Sequence, residues 1–380
     1  MSDLSASRPT WAEINLANLI HNYRLMKERL GDAVAIMPAL KANAYGHGAT
    51  ECARALENEG ARWFGVALPE EGLALRRAGI KTALLCLAGF WEGQEKVIVE
   101  HRLTPVIFRT DLLERLNLAA QSAGVVIDYH LKVDTGMGRL GVPHSELRLF
   151  LDRAGALKNT RLDGVMTHLA SADVAEKREF TERQIALFEK ALALVRSDGH
   201  SPRWVHVANS AWAHASPDCH GNLVRLGGVL YGLWRDVTDR SRKPLEWRPV
   251  MSLQTRIMLL KSVPAGTPLG YGGTFVTTRE SRIATLPIGY EDGFARALSN
   301  RGHVLVREQV APVVGRVSMD LTLIDVTDIP GAAVGDKAVL IGIDGSRQIT
   351  AEEVAGQIGS LSYEVTCGVS ERVPRLYNRP

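Results

Sequence analysis

The sequence predicts an α/β protein, with an N-terminal TIM (β/α)8 barrel followed by a C-terminal, mostly-β domain. The chain has 380 residues, and chains of this length usually form more than one core or a barrel with an added segment. Over the first two-thirds, short apolar runs alternate with amphipathic stretches about eight times, which is typical of β-then-α units. Past about Arg248, apolar runs joined by Gly and Pro turns indicate a separate β-rich domain.

The barrel strands are predicted from uninterrupted apolar runs, and the helices from apolar residues at helical spacing. The eight runs are Val34–Leu40, Trp63–Leu68, Ala83–Leu87, Pro105–Phe108, Val125–Val133, Leu162–Thr167, Trp204–Val207 and Leu223–Leu226. A helix is predicted before the first strand, over Ala17–Leu30. Helices such as Thr110–Ala123 and Thr181–Ser197 are predicted between strands.

The second domain is predicted to contain β runs and one helix. The β runs are Met251–Val263, Ser281–Pro287, Val304–Val314 and Leu321–Val326. The helix is Thr350–Gly359, which begins at a Thr of the kind that caps helix N-termini. We place the barrel at residues 1–245 and the β domain at 246–380, with residues 1–12 a candidate for packing against the β domain.

Composition excludes several classes of protein. The residues are 46% hydrophobic and 23% charged, which excludes collagen-like, disordered and disulfide-scaffold proteins. The net charge is +3, from 45 basic and 42 acidic residues, so nothing favours a nucleic-acid partner. No run approaches the ~18 to 20 apolar residues of a membrane span, and no secretory leader is recognised. We therefore expect a soluble, cytoplasmic protein.

Cysteine and histidine spacing predicts neither disulfides nor a metal site. The four cysteines have no C-x-x-C pair, which favours reduced, mostly buried thiols; they are Cys52, Cys86, Cys219 and Cys367. Cys367 is expected to be a small buried residue. His206, His214 and His220 match no strong zinc spacing, so no metal is expected.

Polar residues close five of the predicted barrel strands, where barrel enzymes hold their functional groups. Lys41 follows the first strand, and burial there would favour the neutral amine that a Schiff base requires. Taken alone, the pattern favours a strand-ending lysine that reaches solvent, because most lysines are exposed. The other four strands end at Lys132–Gly141, which contains Arg139, at Thr167-His168, at Asn209-Ser210 and at Arg225–Gly228.

The run Lys41–Gly48 closely resembles the pyridoxal-phosphate lysine motif of alanine racemases. The resemblance continues in order through nearly the whole chain, over Lys132–Gly141, Thr167-His168, Asn209-Ser210, Arg225–Gly232, Gly270–Gly272, Ile288–Gly293, Val317–Asp320 and Tyr363–Val365. It implies a TIM barrel plus a β domain, pyridoxal 5'-phosphate as cofactor, alanine as substrate, and a homodimer in which each site is completed by the partner's β domain.

By that resemblance, Lys41 binds the cofactor covalently and acts as one general base, and Tyr271 from the partner subunit is the other. His168 and Arg225 would stabilise the phenolate of Tyr271, and Arg225 would face the pyridine nitrogen of the cofactor. Since arginine only donates hydrogen bonds, that nitrogen would stay largely unprotonated. This weaker electron sink would disfavour transamination.

The resemblance also implies the groups that bind phosphate and substrate. The phosphate would be held by Tyr45, Ser210, Gly227, Gly228 and Tyr363. Arg139 and the backbone N–H of Met319 would bind the substrate carboxylate, and Tyr290 would narrow the pocket. Lys132 matches a lysine that is carbamylated in many members, with a plain salt bridge to Asp134 or another acid as the alternative. Asp173, Arg296 and Arg316 match a polar access corridor or are simply solvated charges.

The predicted function is therefore the interconversion of L-alanine and D-alanine, for peptidoglycan synthesis or alanine catabolism. The alternatives are a broader racemase that also accepts serine, because an apolar pocket rejects one added hydroxyl poorly, and a pyridoxal-phosphate amino-acid decarboxylase of the same architecture. A non-catalytic carrier of the cofactor is disfavoured by the β domain that bears Tyr271 and Met319.

Overall fold

In this computed structural model, residues 8–216, 218, 220–238 and 245–378 are described. The central part of the chain forms a closed barrel of eight parallel strands, as predicted. In chain order, the first to eighth barrel strands are Ala35–Pro38, Trp63–Val66, Ala83–Cys86, Thr104–Ile107, Ile127–Asp134, Thr160–Met166, Trp204–His206 and Leu223–Leu226. The eighth pairs with the first, Leu223 opposite Ala35, which closes the barrel.

Helices surround the barrel and bury their apolar faces against it. They are Leu16–Leu30, Ala49–Asn58, Pro69–Arg77, Glu95–Glu100, Thr110–Ser122, Leu147–Gly155, Arg178–Ser197 and Ser210–Ala215. The first of these begins after Asn15, whose side chain accepts from the N–H of Asn18 as an N-cap. The three helices predicted by periodicity are confirmed within a few residues, because a buried apolar stripe repeats every 3.6 residues.

The barrel interior is packed rather than hollow. Met37, Trp63, Leu85, Val106, Met166, Trp204 and Leu223 form one cluster of buried side chains contributed by different strands. This cluster fills the interior, as barrels of this size require. Most of the site's polar side chains therefore lie at the carboxyl ends of the strands, and His130 is a buried polar side chain that packs against Trp63 of this cluster.

The C-terminal domain contains two main sheets. Its strands are Met251–Arg256, Leu259–Val263, Pro268–Leu269, Phe275–Val276, Ser281–Leu286, His303–Val306, Gln309–Pro312, Thr322–Asp325, Lys337–Asp344, Arg347–Ile349 and Arg375–Asn378. The larger, seven-stranded sheet also contains Thr10–Asn15 from the start of the chain. That strand pairs antiparallel with Met251–Arg256 and parallel with Arg375–Asn378.

Two of the predicted β runs are divided in the structure. The run Met251–Val263 breaks after Arg256, so that its two halves belong to different sheets. The run Val304–Val314 folds into a hairpin whose turn residues, Arg307 and Glu308, have φ of 50° and 62°. Gly or Asn usually marks such a turn, and neither is present here. The domain boundary that we place between residues 245 and 246 stays a prediction, and residues 239–244, just before it, lie outside the described residues.

The prediction of a single helix in this domain is wrong, because there are two. Ala351–Ile358 is capped by Thr350, whose hydroxyl accepts from the N–H of Glu353 at 3.1 Å. The second helix, Ser362–Cys367, has only six residues, too few for a visible period. It carries Tyr363 towards the barrel.

Candidate active site

The carboxyl ends of the barrel strands bring together the residues that the sequence singled out. Lys41 follows the first strand, Lys132 lies in the fifth, and His168 follows the sixth. Ser210 begins the helix after the seventh strand, and Arg225 lies in the eighth. Parallel barrel strands end on the same face, so these side chains share one mouth.

Lys41 begins a left-handed turn that the sequence did not reveal. Residues Ala42–Tyr45 have φ between 52° and 55°, a conformation that costs non-glycine residues about 1–2 kcal/mol each. A carboxylate oxygen of Glu71 accepts from the N–H of Ala42 at 2.7 Å, and the side chain of Asn43 accepts from the N–H of Ala49 at 2.8 Å. These bonds hold the turn and so fix the direction of Lys41. Glu71, early in its helix, was missed because nothing local connects it with Lys41.

The amine of Lys41 is placed where its neutral form is favoured. Burial lowers its pKa, and the Arg139 guanidinium lowers it further, while Glu71 opposes the shift. The Nζ lies 5.8 Å from the ring centroid of Tyr45. An amine with a lowered pKa is more often unprotonated, as a nucleophile or base must be.

Five groups next to Lys41 form a cradle without any carboxylate. The N–H of Gly227 donates to Ser210 Oγ at 2.9 Å, and the N–H of Gly228 donates to the Tyr363 hydroxyl. The rings of Tyr45 and Tyr363 lie edge to face, with centroids 5.1 Å apart. A Cβ at Gly227 would lie 2.5 Å from Tyr45 Oη, and one at Gly228 would lie 2.3 Å from Tyr363 Oη. Only glycine fits at both positions, and the set of hydroxyl and backbone donors suits a phosphate.

Arg225 is buried in the barrel, and its hydrogen-bond partners among the described residues are all neutral. Its guanidinium donates to the carbonyls of Thr167, His206 and Val207 at 2.7–3.0 Å. It also lies 3.1 Å from Nδ1 of His206 and 3.3 Å from Nδ1 of His168. Burial lowers the pKa of Arg225 to about 9. The residue remains a cation with its guanidinium plane fixed.

Four cationic side chains influence His168: Arg225, Lys132, Arg139 and Lys41. Burial and then these charges lower the pKa of His168 well below its ordinary value, so the imidazole is neutral. Because Arg225 can only donate, Nδ1 of His168 accepts and Nε2 carries the proton. The barrel mouth is therefore a strongly positive site that offers an N–H, suited to anionic ligands.

Lys132 is only 4% exposed, and its surroundings disfavour its charge. Burial and then the charges of Arg225 and Arg139 lower its pKa to about 8, although the charge of Asp134 opposes the shift. Asp134 acts only through space, and one of its carboxylate oxygens accepts from the N–H groups of residues 136, 137 and 138. No ion pair joins Lys132 to Asp134 within the described residues, which removes the acid nearest in sequence as a partner.

Other predicted site residues lie on the surface of this chain. Tyr271, Tyr290 and Met319 belong to the β domain and are 71%, 39% and 50% exposed. Arg139 and the three corridor residues Asp173, Arg296 and Arg316 are also exposed. The expectation that Cys367 is buried is wrong, because it ends the short Ser362–Cys367 helix with its thiol exposed. Cys52 and Cys86 are buried, and Cys219 lies outside the described residues.

The three histidines considered for a metal site have different surroundings. His206 bonds to Arg225 and to His130, His214 lies in the helix after the seventh strand, and His220 forms an ion pair with Glu189. No group of three or more potential metal ligands occurs among the described residues. None of the described helices has the length and apolar character needed to span a bilayer.

Comparison with known proteins identifies the family. The model of the alanine racemase N-terminal domain matches residues 14–234, and that of the C-terminal domain matches residues 250–377. The chain belongs to the alanine racemase family. The alanine racemase of Syntrophobacter fumaroxidans is 45% identical over 360 residues, 95% of each chain. That of Halothermothrix orenii is 42% identical over 373 residues, 98% of this chain and 97% of the relative.

Solved structures of alanine racemases share the fold. The enzyme from the D-cycloserine producer Streptomyces lavendulae has a TM-score of 0.92 at 34% identity, covering 99% of this chain and 98% of that one. The Bartonella henselae enzyme, described with covalently bound pyridoxal phosphate, has a TM-score of 0.87 at 28% identity, covering 98% and 100%. As a family member, the protein is a pyridoxal-phosphate-dependent isomerase that interconverts the enantiomers of alanine.

Proposed function

We propose that this alanine racemase uses two acid–base groups on opposite faces of its substrate, Lys41 and Tyr271. The observation that carries the proposal is Lys41 with its lowered pKa, held beside the glycine cradle on a turn fixed by Glu71. Pyridoxal phosphate, when bound, supplies the electron-withdrawing ring that makes the α-proton of alanine acidic. One group removes that proton, and the other returns a proton from the opposite side.

The residues present fit the cofactor. The phosphate would be held by Tyr45, Tyr363, Ser210 and the N–H groups of residues 227 and 228, in the cradle that any Cβ would fill. Arg225 would face the pyridine nitrogen and, as a donor that keeps its proton, would not protonate it. Lys41 would hold the cofactor covalently through its amine.

Tyr271 is proposed to act in the partner's site, within a homodimer that shares its active sites. Its support is the exposed position of Tyr271, Tyr290 and Met319 on the β domain, since exposed apolar residues indicate a contact surface. A tyrosine is a poor base at neutral pH unless its phenolate is stabilised. His168 provides this, because its Nε2–H points away from Arg225 and is free to donate to that oxygen.

Arg139 is proposed to bind the substrate carboxylate with its planar guanidinium, assisted by the backbone N–H of the partner's Met319. The partner's Tyr290 narrows the pocket and disfavours side chains larger than that of alanine. Lys132 is proposed to be carbamylated, which replaces a cation beside Arg139 by an anion. Carbamylation is supported by the pKa of Lys132, about 8, and by the absence of an ion pair between Lys132 and Asp134 among the described residues.

We further propose that the protein works in the cytoplasm. The support is modest: Cys52 and Cys86 are buried and unpaired, as is usual where thiols stay reduced.

The reaction is tested by incubating the holoenzyme with L-alanine in deuterated water and separating the products on a chiral column. D-Alanine with deuterium at the α-carbon is expected, and Lys41→Ala is expected to abolish both the product and the visible absorption of the bound cofactor. Release of carbon dioxide without D-alanine would instead support a decarboxylase. A parallel assay with serine measures the breadth of specificity.

The shared site is tested by mixing two inactive variants, Lys41→Ala and Tyr271→Phe. Random pairing of the two chains restores about a quarter of the sites, because one site of each mixed dimer then contains both wild-type residues. If Lys41 and Tyr271 of the same chain formed each site, mixing would restore no activity. Lys41→Ala mixed with itself is the matched control.

A further inference from the structure

A line of buried polar groups runs from Arg225 through the barrel, away from the substrate side. Nδ1 of His206 lies 3.1 Å from Nη1 of Arg225, and Nε2 of His206 lies 2.9 Å from Nδ1 of His130. Both imidazoles are fully buried. Nε2 of His130 has no hydrogen-bond partner in the described part of the chain and lies 3.9 Å from Oδ2 of Asp163. None of the groups beyond His206 has a role in the function proposed above.

The direction of these hydrogen bonds follows from arginine chemistry. Arg225 has N–H donors only, so Nδ1 of His206 must accept and its proton must sit on Nε2. That N–H donates to His130, whose Nδ1 is therefore an acceptor as well. The remaining proton of His130 sits on Nε2, on the side of Asp163. Each imidazole is thus held neutral and in one tautomer, with every proton directed away from Arg225.

The space that the His130 ring occupies exists because the neighbouring residue, Gly164, has no side chain. Gly164 is the strand neighbour of His130, and a Cβ there would lie 2.6 Å from the imidazole ring. Trp63 packs edge-on against the same ring, with centroids 5.2 Å apart. The imidazole is therefore confined by the strand beside it and by the aromatic layer of the interior.

Asp163 reaches His130 because of an irregularity in the sixth barrel strand. Tyr129 pairs with Leu162 and His130 pairs with Gly164, so Asp163 is the extra residue of a β-bulge. Bulges redirect side chains and are frequent near functional sites. The carboxylate is 6% exposed and is held by Arg203 at 2.9 Å. At 3.9 Å from Nε2 of His130, it is the acceptor group that this N–H faces, while Arg203, which pairs with it, lowers the pKa of His130 and so keeps the imidazole neutral.

We propose that His130 and Asp163 are positioning residues. Through His206, they fix the orientation of the Arg225 guanidinium, so that its N–H groups are the donors that face the reacting side. Losing the acceptor at His130 frees His206 to change tautomer, and an Nδ1–H would then face an N–H of Arg225. Arg225 would turn away, and solvent would reach the cofactor's pyridine nitrogen and protonate it. A protonated ring is the better electron sink, so more substrate would be lost to transamination. This consequence rests on the function proposed above.

Two variants of similar size distinguish the loss of the hydrogen-bond acceptor at residue 130 from the loss of the imidazole ring. In His130→Asn, the side-chain oxygen replaces Nδ1 as an acceptor, whereas His130→Leu removes it. Asn117→Leu is the matched control, because Asn117 is also buried in the barrel domain and its carbonyl oxygen accepts from the N–H of Asn159 at 2.8 Å. Each holoenzyme is assayed for D-alanine and for pyruvate, the keto acid that would remain when the amino group of alanine passes to the cofactor and converts it to the pyridoxamine form, at most one equivalent per site. The 15N shifts of His206 are recorded in histidine-labelled protein without substrate.

The expected result is a pyridine-type Nδ1 and a pyrrole-type Nε2 for His206 in the wild type and in His130→Asn. In His130→Leu this pattern is lost, and the ratio of pyruvate to D-alanine rises about tenfold, the effect of one hydrogen bond. Asn117→Leu keeps the wild-type ratio. An unchanged tautomer or ratio in His130→Leu would overturn the proposal, and so would an equal change in Asn117→Leu.

If His130→Leu does not fold, Asp163→Asn takes its place, since it removes the charge at nearly constant volume. The proton of His130 is then expected to redistribute between its two nitrogens, and an unchanged spectrum would overturn the role of Asp163. A wild-type enzyme that forms no D-alanine would refute the proposed function instead. The tautomer of His206, measured without substrate, remains a separate test of the hydrogen-bonded line.

Discussion

Replacing Lys132 by alanine tests whether this lysine is carbamylated. With a pKa of about 8, roughly a quarter of the amine is neutral at pH 7.5, against about one in a thousand at the ordinary value of 10.5. Only the neutral amine attacks carbon dioxide: an N–C bond forms, one N–H proton passes to solvent, and a carbamate anion remains. The neutral fraction of the Lys132 amine is thus more than about a hundredfold larger than that of a lysine with the ordinary pKa. The product is an anion beside Arg139.

We expect Lys132→Ala to lower kcat/KM for alanine about tenfold, because Arg139 loses a charged neighbour. Acetate or another short carboxylate is expected to restore part of the lost kcat/KM of Lys132→Ala. Carbon-13 NMR of the wild type in labelled bicarbonate is expected to show one carbamate resonance that is absent in the variant. Lys158→Ala is the control, since Lys158 is exposed and its amine donates to the carbonyl of Gly155. Full activity in Lys132→Ala, with no resonance in the wild type, would refute the reasoning.

Three further predictions follow from the geometry. Gly228→Ala places a Cβ 2.3 Å from the Tyr363 hydroxyl, so pyridoxal phosphate is expected to bind at least about tenfold more weakly in a fluorescence titration, and an unchanged Kd would contradict the cradle. Glu71→Ala removes the acceptor of the exposed N–H of Ala42 and is expected to cost about 0.5–1.5 kcal/mol in urea unfolding and to lower kcat, whereas Glu71→Gln, which keeps one acceptor oxygen, retains more of both. For protein freed of carbon dioxide, the free energy of unfolding is expected to rise between pH 8 and 10.5 by up to about 3 kcal/mol more in the wild type than in Lys132→Ala, because unfolded Lys132 binds a proton there that the folded residue has released. Arg225, with a pKa of about 9, contributes its own rise to both profiles, and equal profiles would contradict the lowered pKa of Lys132.

The barrel was predictable because each of its strands is buried on both faces. Such strands are uninterrupted apolar runs, and the helices between them repeat their apolar residues at a different period. The same reasoning located the residues at the strand ends, since parallel strands all end on one face. It could not give the distances between Arg225, His168 and His206, because these depend on the register of three strands distant in sequence.

Two features of the site, the turn after Lys41 and the buried His130, were harder to predict from the sequence. The left-handed turn Ala42–Tyr45 contains no glycine, and its stability comes from Glu71 and Asn43 rather than from local preference. His130 did have a signal, because it lies two residues before Lys132 in the strand Ile127–Asp134, whose side chains alternate between the two faces. Reading that alternation would have placed both residues inside the barrel.

The strand Thr10–Asn15 has a consequence for how the protein is made. Its parallel partner Arg375–Asn378 follows it by about 360 residues, so this partner leaves the ribosome about 20–70 s later at 5–20 residues per second. During that interval the growing chain carries a strand with a buried apolar face and an open hydrogen-bonding edge. We expect the barrel to fold first and this edge to need protection until Arg375–Asn378 has been made, so that this strand covers the edge after the rest of the sheet has formed.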